Sequence, residues 1–145
     1  MREIALYVHV PFCIRKCRYC DFVSFPSCSE ESIRHYFLTV AQELHFRVIH
    51  NKLQGTHLKS VYFGGGTPSL APSDILSNFL QLLRQYFILD HSIEITLEAN
   101  PGTIHSEKLR NLSNIGINRL SIGIQSFQDR YLSFLGRTYC SKDVF

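Results

Sequence analysis

The 145-residue chain lacks any block of basic residues, since its formal net charge is only +3 and its Lys and Arg residues are scattered. This pattern argues against nucleic acid or an anionic membrane surface as a partner. No apolar run approaches the roughly 20 residues that a transmembrane helix needs. No small-residue cleavage site follows the apolar stretch at residues 4–10, so no secretory signal peptide is expected. A cytoplasmic, reducing location is therefore the default expectation.

The chain also lacks the cysteine arrangement of a disulfide framework. It has five cysteines, an odd number, and three of them (Cys13, Cys17 and Cys20) fall in the segment HVPFCIRKCRYCDF at residues 9–22. In a reducing compartment, cysteines clustered in this way favour a metal or redox site. Their spacing differs from the bacterial ferredoxin run C-x2-C-x2-C-x3-C, which supplies four thiolates.

Two kinds of metal site are compatible with three thiolates. A 4Fe-4S cluster held by three cysteines leaves one iron open to an exchangeable ligand. Zinc takes four protein ligands in a structural site, where His9 could complete a Cys3His set, or three ligands plus water in a catalytic site. The spacing of the cysteines alone keeps both alternatives open.

Apolar periodicity alternates along the chain between strand and helix. Enrichment in β-branched and aromatic residues predicts strands at residues 4–10, 60–63, 93–99 and 119–125. Helical spacing predicts helices over residues 33–48, from Pro72 onward, around 109–115 and over 129–135. Ser27 and Glu30 have the spacing of a capping box, and Ser141 has the character of a further N-cap.

Four strands that alternate with helices predict an α/β fold of parallel βαβ units, either doubly wound or part of a (β/α) barrel. Both architectures place ligands at the carboxyl ends of the strands. Four unusual segments lie at the carboxyl ends of predicted strands: the cysteine segment, the glycine turn at 64–66, EANP at 98–101 and QSF at 125–127. The glycine turn lacks the lysine of a P-loop, but its glycines let the backbone approach a ligand closely. We therefore expect one site at this edge of the sheet.

The cysteine segment resembles the signature of the radical SAM superfamily, C-x3-C-x2-C with Tyr19 immediately before Cys20. The resemblance implies a partial (β/α) barrel and a 4Fe-4S cluster held by Cys13, Cys17 and Cys20. It further implies that the amino and carboxylate groups of S-adenosylmethionine (SAM) chelate the fourth iron. In that family, an electron from the reduced cluster cleaves a sulfonium S–C bond and gives methionine and a 5′-deoxyadenosyl radical.

The runs LYVHVPFC, GGGTP, ITLEANPG, NRLSIGIQSF and LGR resemble a narrower branch of that superfamily. This branch contains oxygen-independent coproporphyrinogen III oxidase (a dehydrogenase) and the HemW-type heme chaperones. A His commonly follows LGR after one residue in this branch, and Tyr139 stands there instead. The resemblance implies that SAM contacts come from Tyr7, Tyr19, Gly65, Gly66, Thr67, Glu98, Gln125 and Arg137, with Arg137 paired to a carboxylate.

Two features favour the chaperone within this branch. Phe22 stands where the dehydrogenase typically has a further cysteine, and the first predicted strand begins at Ile4 without the dehydrogenase's N-terminal extension. The resemblance then implies a protein that binds heme and passes it to an acceptor protein. The alternatives are the dehydrogenase, which needs an electron donor, and more weakly a zinc-binding or electron-transfer module. Because the superfamily core has further βα units, residues 1–145 are expected to form its N-terminal part, without the rest of the barrel or a C-terminal domain.

Overall fold

A computed structural model of the chain describes residues 3–144. The strands are β1 Glu3–Val10, β2 Phe12–Cys13, β3 Phe25–Pro26, β4 His57–Gly65, β5 Ile88–Ala99 and β6 Arg119–Ile122. The main sheet has four parallel strands in the order β1-β4-β5-β6, and the two short strands, β2 and β3, pair in parallel as a separate ribbon.

A helix follows each strand of the main sheet, in the predicted alternation. They are α1 Glu30–His50, α2 Ser73–Tyr86, α3 Ser106–Asn114 and α4 Asp129–Leu135. Short 3-10 turns lie at Pro68–Leu70, Pro101–Thr103 and Ser141–Val144. Within residues 3–144, no helix is long and apolar enough to cross a membrane.

The strand order distinguishes the two predicted architectures. A doubly wound sheet reverses its strand order at a switch point, whereas a (β/α) barrel adds each new strand beside the previous one. Here each main-sheet strand pairs with the next main-sheet strand along the chain, without a reversal. The prediction of an α/β fold that forms part of a barrel is therefore confirmed.

The core lies between one face of the sheet and helices α1 and α2. Phe79 of α2 makes edge-to-face contacts with Phe37 of α1 and Phe63 of β4, at centroid distances of 5.9 and 6.0 Å. Val61 and Leu97 are fully buried beside them. Such close packing fixes the strands relative to the helices, so the loops at the carboxyl ends of the strands hold defined positions.

Several element boundaries differ from the prediction. Strand β4, for example, runs over His57–Gly65 instead of 60–63, so Gly64 and Gly65 of the predicted glycine turn end the strand. Helix α1 is capped by Ser29, whose Oγ accepts a hydrogen bond from the backbone N–H of Ser32 at 3.1 Å, so the capping box predicted at Ser27 is wrong. Ser27 lies before the helix with φ of +60°. Strand β5 begins at Ile88 instead of 93 because its first residues pair with His57 and the residue after it. Strand β6 ends at Ile122, not 125, since the chain then turns into the left-handed conformation.

Candidate functional site

The carboxyl ends of the main strands border a cleft of about 270 Å³. Its walls come from the cysteine loop (residues 13–24), the glycine turn, the ends of β5 and β6, and the segment after α4. The predicted site residues that line it are Cys13, Cys17, Tyr19, Cys20, Gly65, Gly66, Thr67, Glu98, Gln125 and Arg137. The cleft thus brings together residues that are far apart in the sequence, as parallel βα topology allows.

Tyr7 is the predicted site residue that lies apart from the cleft lining. It stacks on Tyr62 with a centroid distance of 6.0 Å, and its hydroxyl lies 3.0 Å from Nδ1 of His9. The His9 ring also reaches the backbone carbonyl of Val23 through Nε2 at 3.2 Å. Tyr7 is therefore joined to the cysteine loop through His9, and its contact with SAM stays a prediction.

The cysteine loop is closed at its base by backbone hydrogen bonds. The N–H of Phe25 donates to the carbonyl of Pro11 at 2.6 Å, and the N–H of Ser27 donates to that of Cys13 at 3.1 Å. All three thiols are half-buried. Among residues 3–144, no three His, Cys, Asp or Glu side chains are grouped closely enough to hold a single ion. A cluster of four irons binds its thiolates at separate irons, so the three thiols need not meet at one ion.

The glycine turn packs directly against the cysteine loop. A Cβ atom added to Gly66 would lie 2.6 Å from the carbonyl oxygen of Phe12 and 3.0 Å from the Sγ of Cys13. The next residue, Thr67, donates its N–H to that same carbonyl at 2.6 Å and directs its hydroxyl to Cys13 at 3.6 Å. Only glycine fits at position 66, because backbone and thiol occupy the space of a side chain.

Glu98 fixes the neighbouring glycine from the end of β5. Its Oε2 accepts the N–H of Gly65 at 2.9 Å, and its Oε1 accepts the hydroxyl of Tyr62 at 2.7 Å. Gly65 has φ of +114°, a region that favours glycine, and a Cβ there would lie 2.5 Å from the His9 ring. Glu98 therefore orients the turn as well as presenting a carboxylate to the cleft.

Arg137 uses every N–H of its guanidinium group, which has five. Nε donates to the hydroxyl of Tyr139 at 2.9 Å, and Nη1 donates to Cys17 Sγ at 3.1 Å and to Tyr19 at 3.3 Å. Nη2 donates to the carbonyl of Gly123 at 2.6 Å and to Oδ1 of Asn100. Burial opposes its charge, but the hydrogen bonds with Cys17 and Tyr139 outweigh burial and raise the pKa of Arg137. Its predicted pairing with a carboxylate stays a prediction; the acceptors present are a thiol, hydroxyls, an amide and a carbonyl.

The tyrosines near the cleft keep their protons at neutral pH. Burial raises the pKa of Tyr7, Tyr19 and Tyr139 above the ordinary value of 10.0. The hydrogen bond to Glu98, followed by burial, does the same for the pKa of Tyr62. Each phenol is therefore a neutral hydrogen-bond donor under physiological conditions.

Two cleft residues carry contacts that the sequence reasoning did not assign to the site. Asn100 bridges Thr67 and Arg137, donating Nδ2–H to the Thr67 hydroxyl at 3.0 Å and accepting from Arg137 through Oδ1. Tyr139 is buried and holds Arg137 through its hydroxyl. The available signal for Asn100 was its place in the segment after β5. For Tyr139, the signal was that a tyrosine stands where the narrower branch of the superfamily commonly has a His.

Comparison with known proteins agrees with this geometry. A family model described as the radical SAM superfamily matches residues 7–145. The chain is 38% identical to the heme chaperone HemW of Haemophilus influenzae over 138 residues, which is 94% of this chain and 36% of that protein. It is 41% identical to the mouse protein named radical S-adenosyl methionine domain-containing protein 1, mitochondrial, over 97% of this chain and 31% of that protein.

A solved structure shares the fold. The chain matches coproporphyrinogen III oxidase (HemN) from Escherichia coli, described as a radical SAM enzyme, with a TM-score of 0.85 and 28% identity. The match covers 99% of this chain and 32% of that one. The chain thus spans about a third of the length of the relatives it matches. With a family model that covers nearly all of its residues, the chain belongs to the radical SAM superfamily.

Proposed function

We propose that this chain supplies the cluster- and SAM-binding part of a heme chaperone. Cys13, Cys17 and Cys20 hold a 4Fe-4S cluster, and the cleft beside them holds SAM. The observation that carries the proposal is the packing of Gly66 and Thr67 on Cys13, because this packing makes the cysteine loop and the glycine turn one continuous surface. When bound, the reduced cluster supplies an electron for cleavage of the SAM sulfonium.

The surrounding residues fit a group that carries thiolate ligands. The hydroxyl of Thr67 donates toward Cys13, and the guanidinium of Arg137 donates to Cys17. Hydrogen bonds from such neighbours orient ligand thiolates and set the potential of the cluster they bind. Gly66 leaves room for the Cys13 sulfur, which any larger residue would displace. Together these contacts favour three sulfur ligands at one wall of the cleft and an organic ligand beside them.

Heme is the proposed cargo. The cysteine loop and the adjoining strand β3 expose an apolar rim that consists of Ile14, Phe22, Val23 and Phe25, each at least half exposed, and Ile14 and Phe22 line the cleft. Arg15 and Lys16 flank the rim with positive charge. An apolar surface bordered by cations suits a flat porphyrin that carries two carboxylates. The cargo then passes to an acceptor protein, and we propose the cytoplasm as the compartment.

One observation favours a second function, coproporphyrinogen III oxidase, namely the likeness to the solved enzyme of that name. Phe22 distinguishes the two proposals, because the dehydrogenase resemblance calls for a further cysteine at that position. The dehydrogenase would form 5′-deoxyadenosine and decarboxylate a porphyrinogen, and it would need an electron donor.

Anaerobic heme titration of the full-length, cluster-loaded protein tests the chaperone against the dehydrogenase. We expect a saturable change in the heme absorption spectrum with no requirement for SAM turnover. A matched Phe22→Asp variant should bind heme more weakly, whereas Phe46→Asp, on the exposed outer face of α1, should not. If heme does not bind saturably and the protein decarboxylates a porphyrinogen in a SAM-dependent reaction, the chaperone proposal is wrong and the dehydrogenase proposal takes its place.

A further inference from the structure

Tyr139 is a buried residue of the cleft whose hydroxyl is fully used. Its side chain is 8% exposed. The hydroxyl accepts the Nε–H of Arg137 at 2.9 Å and lies 2.6 and 2.7 Å from the carbonyl oxygens of Gly123 and Ile124. A phenol has one O–H, so these two carbonyls share the donor. The residue therefore ties the segment after α4 to the segment after β6.

Both segments that Tyr139 joins carry predicted SAM contacts. Arg137 is one, and its Cζ also lies 4.8 Å from the centroid of the Tyr139 ring, within the range of a cation–π contact. Gln125 is the other, directly after Ile124, and it has φ of +71°. A non-glycine residue persists in this conformation only where its neighbours hold it there. Tyr139 supplies such a restraint on the preceding carbonyls.

The same hydroxyl also determines how Arg137 meets the cysteine loop. With Nε bound to Tyr139 and Nη2 bound to the Gly123 carbonyl, the planar guanidinium has one orientation left. In that orientation Nη1 points to Cys17 at 3.1 Å. Removing the Tyr139 hydroxyl would leave the Nε edge of the Arg137 guanidinium without its partner and would loosen the contact between Nη1 and the Cys17 thiol.

We propose that Tyr139 is a positioning residue that fixes Arg137 against Cys17 and holds the backbone that presents Gln125 to SAM. The inference deepens the proposed function and rests on it. Tyr139 acts through these residues, so the three cluster ligands themselves remain in place without its hydroxyl. The affinity for SAM and the midpoint potential of the cluster depend on the hydroxyl, whereas cluster uptake does not.

The test compares Tyr139→Phe with a matched control, Tyr131→Phe, in the full-length, anaerobically reconstituted protein. Tyr131 makes the same kind of contacts away from the cleft: its hydroxyl accepts from Arg130 at 3.1 Å, and that guanidinium lies 4.6 Å from its ring centroid. We expect both variants to keep wild-type iron content. Tyr139→Phe should raise the dissociation constant of SAM about ten-fold, the loss expected for one or two hydrogen bonds. Its cluster potential should fall, because a cationic donor is held less closely to Cys17.

A double-mutant cycle with Arg137→Lys separates positioning from a general loss of stability. If Tyr139 acts through Arg137, the effect of Tyr139→Phe on SAM affinity is smaller in the Arg137→Lys background, since the two changes couple. Melting temperatures of the cluster-free proteins report any loss of folding. Unchanged SAM affinity and potential in Tyr139→Phe, or fully additive effects in the cycle, would overturn the inference. A wild-type cluster that does not respond to SAM would instead overturn the proposed function on which it rests.

Discussion

Arg137 donates a hydrogen bond from Nη1 to the Sγ of Cys17, 3.1 Å away, although 120 residues separate the two in the sequence. The contact depends on the end of α4, where Gly136 adopts a left-handed conformation with φ of +79° and redirects the chain toward the cleft. A second link reinforces it, because the N–H of Arg18 donates to the carbonyl of Leu135 at 3.1 Å. The cysteine loop and the segment after α4 thus form one wall of the cleft.

We expect the three clustered cysteines to be required for cluster binding and the remaining ones to be dispensable. Replacing Cys17 by Ser removes a sulfur ligand that a 4Fe-4S cluster needs, so iron content and brown absorbance should fall to background. Cys140→Ser is the matched control, because Cys140 is half-buried but lies outside the cleft lining. Iron and sulfide analysis after anaerobic reconstitution measures both. A Cys17→Ser protein that keeps a full cluster would rule out the proposed ligand set.

Substitution of Gly66 should disturb both the fold and the cluster site. The Cβ of Gly66→Ala would meet the Phe12 carbonyl at 2.6 Å and Cys13 Sγ at 3.0 Å, and backbone atoms cannot move aside cheaply. We expect about 2 kcal/mol of destabilisation, typical of overpacking, and reduced iron uptake. Gly102→Ala is the control from the same cleft, since its Cβ meets nothing closer than 3.9 Å. Urea denaturation gives the stability of the two variants, and iron analysis gives their cluster content. Equal stability and equal iron content in Gly66→Ala and Gly102→Ala would show that the turn is not closely packed on the cysteine loop.

Glu98→Gln should destabilise the chain although it preserves size and shape. Both carboxylate oxygens accept hydrogen bonds, one from the hydroxyl of Tyr62 and one from the N–H of Gly65. An amide offers one oxygen acceptor, so one of those donors loses its partner, at a cost of about 1–3 kcal/mol. Urea denaturation at neutral pH measures the loss. Glu107→Gln, on the exposed surface of α3, is the matched control and should change stability little.

The Tyr62–Glu98 hydrogen bond predicts a specific dependence on alkaline pH. The hydrogen bond raises the folded-state pKa of Tyr62 above its ordinary value of 10.0. A raised folded-state pKa means that the contribution is complete below the unfolded pKa and is lost as pH rises through the folded one. The stability difference between wild type and Tyr62→Phe should therefore be constant below pH 10 and shrink above it. A difference that grows above pH 10 would contradict this pairing.

The placement of the three clustered cysteines and the glycine turn in one cleft was predictable because each set lies in a contiguous run with recognisable chemistry. Cys13, Cys17 and Cys20 occur within eight residues, and Gly65 and Gly66 lie at the end of a clear strand. Parallel strands present the loops at their carboxyl ends along one edge of the sheet, so these two runs are expected to lie side by side. The strand-ending residues Glu98 and Gln125 are expected at the same edge for the same reason.

The contacts of Arg137 and Tyr139 were not predictable in the same way. Their partners include the backbone carbonyls of Gly123 and Ile124, and a carbonyl has no sequence signature. The resemblance directed attention to a carboxylate partner for Arg137, whereas the folded chain gives its donors to Cys17 and four other acceptors. Which of several serines caps α1 likewise depended on local backbone geometry, since Ser27 and Ser29 have equal capping chemistry.

Electron paramagnetic resonance of the reduced, anaerobically reconstituted full-length protein, recorded with and without SAM, tests the proposed site most directly. Three thiolates leave one iron of a 4Fe-4S cluster available, so we expect a cluster signal whose g-values change when SAM is added. A cluster spectrum that is identical with and without SAM would contradict a SAM-binding cleft, and bound zinc without iron would contradict the cluster itself.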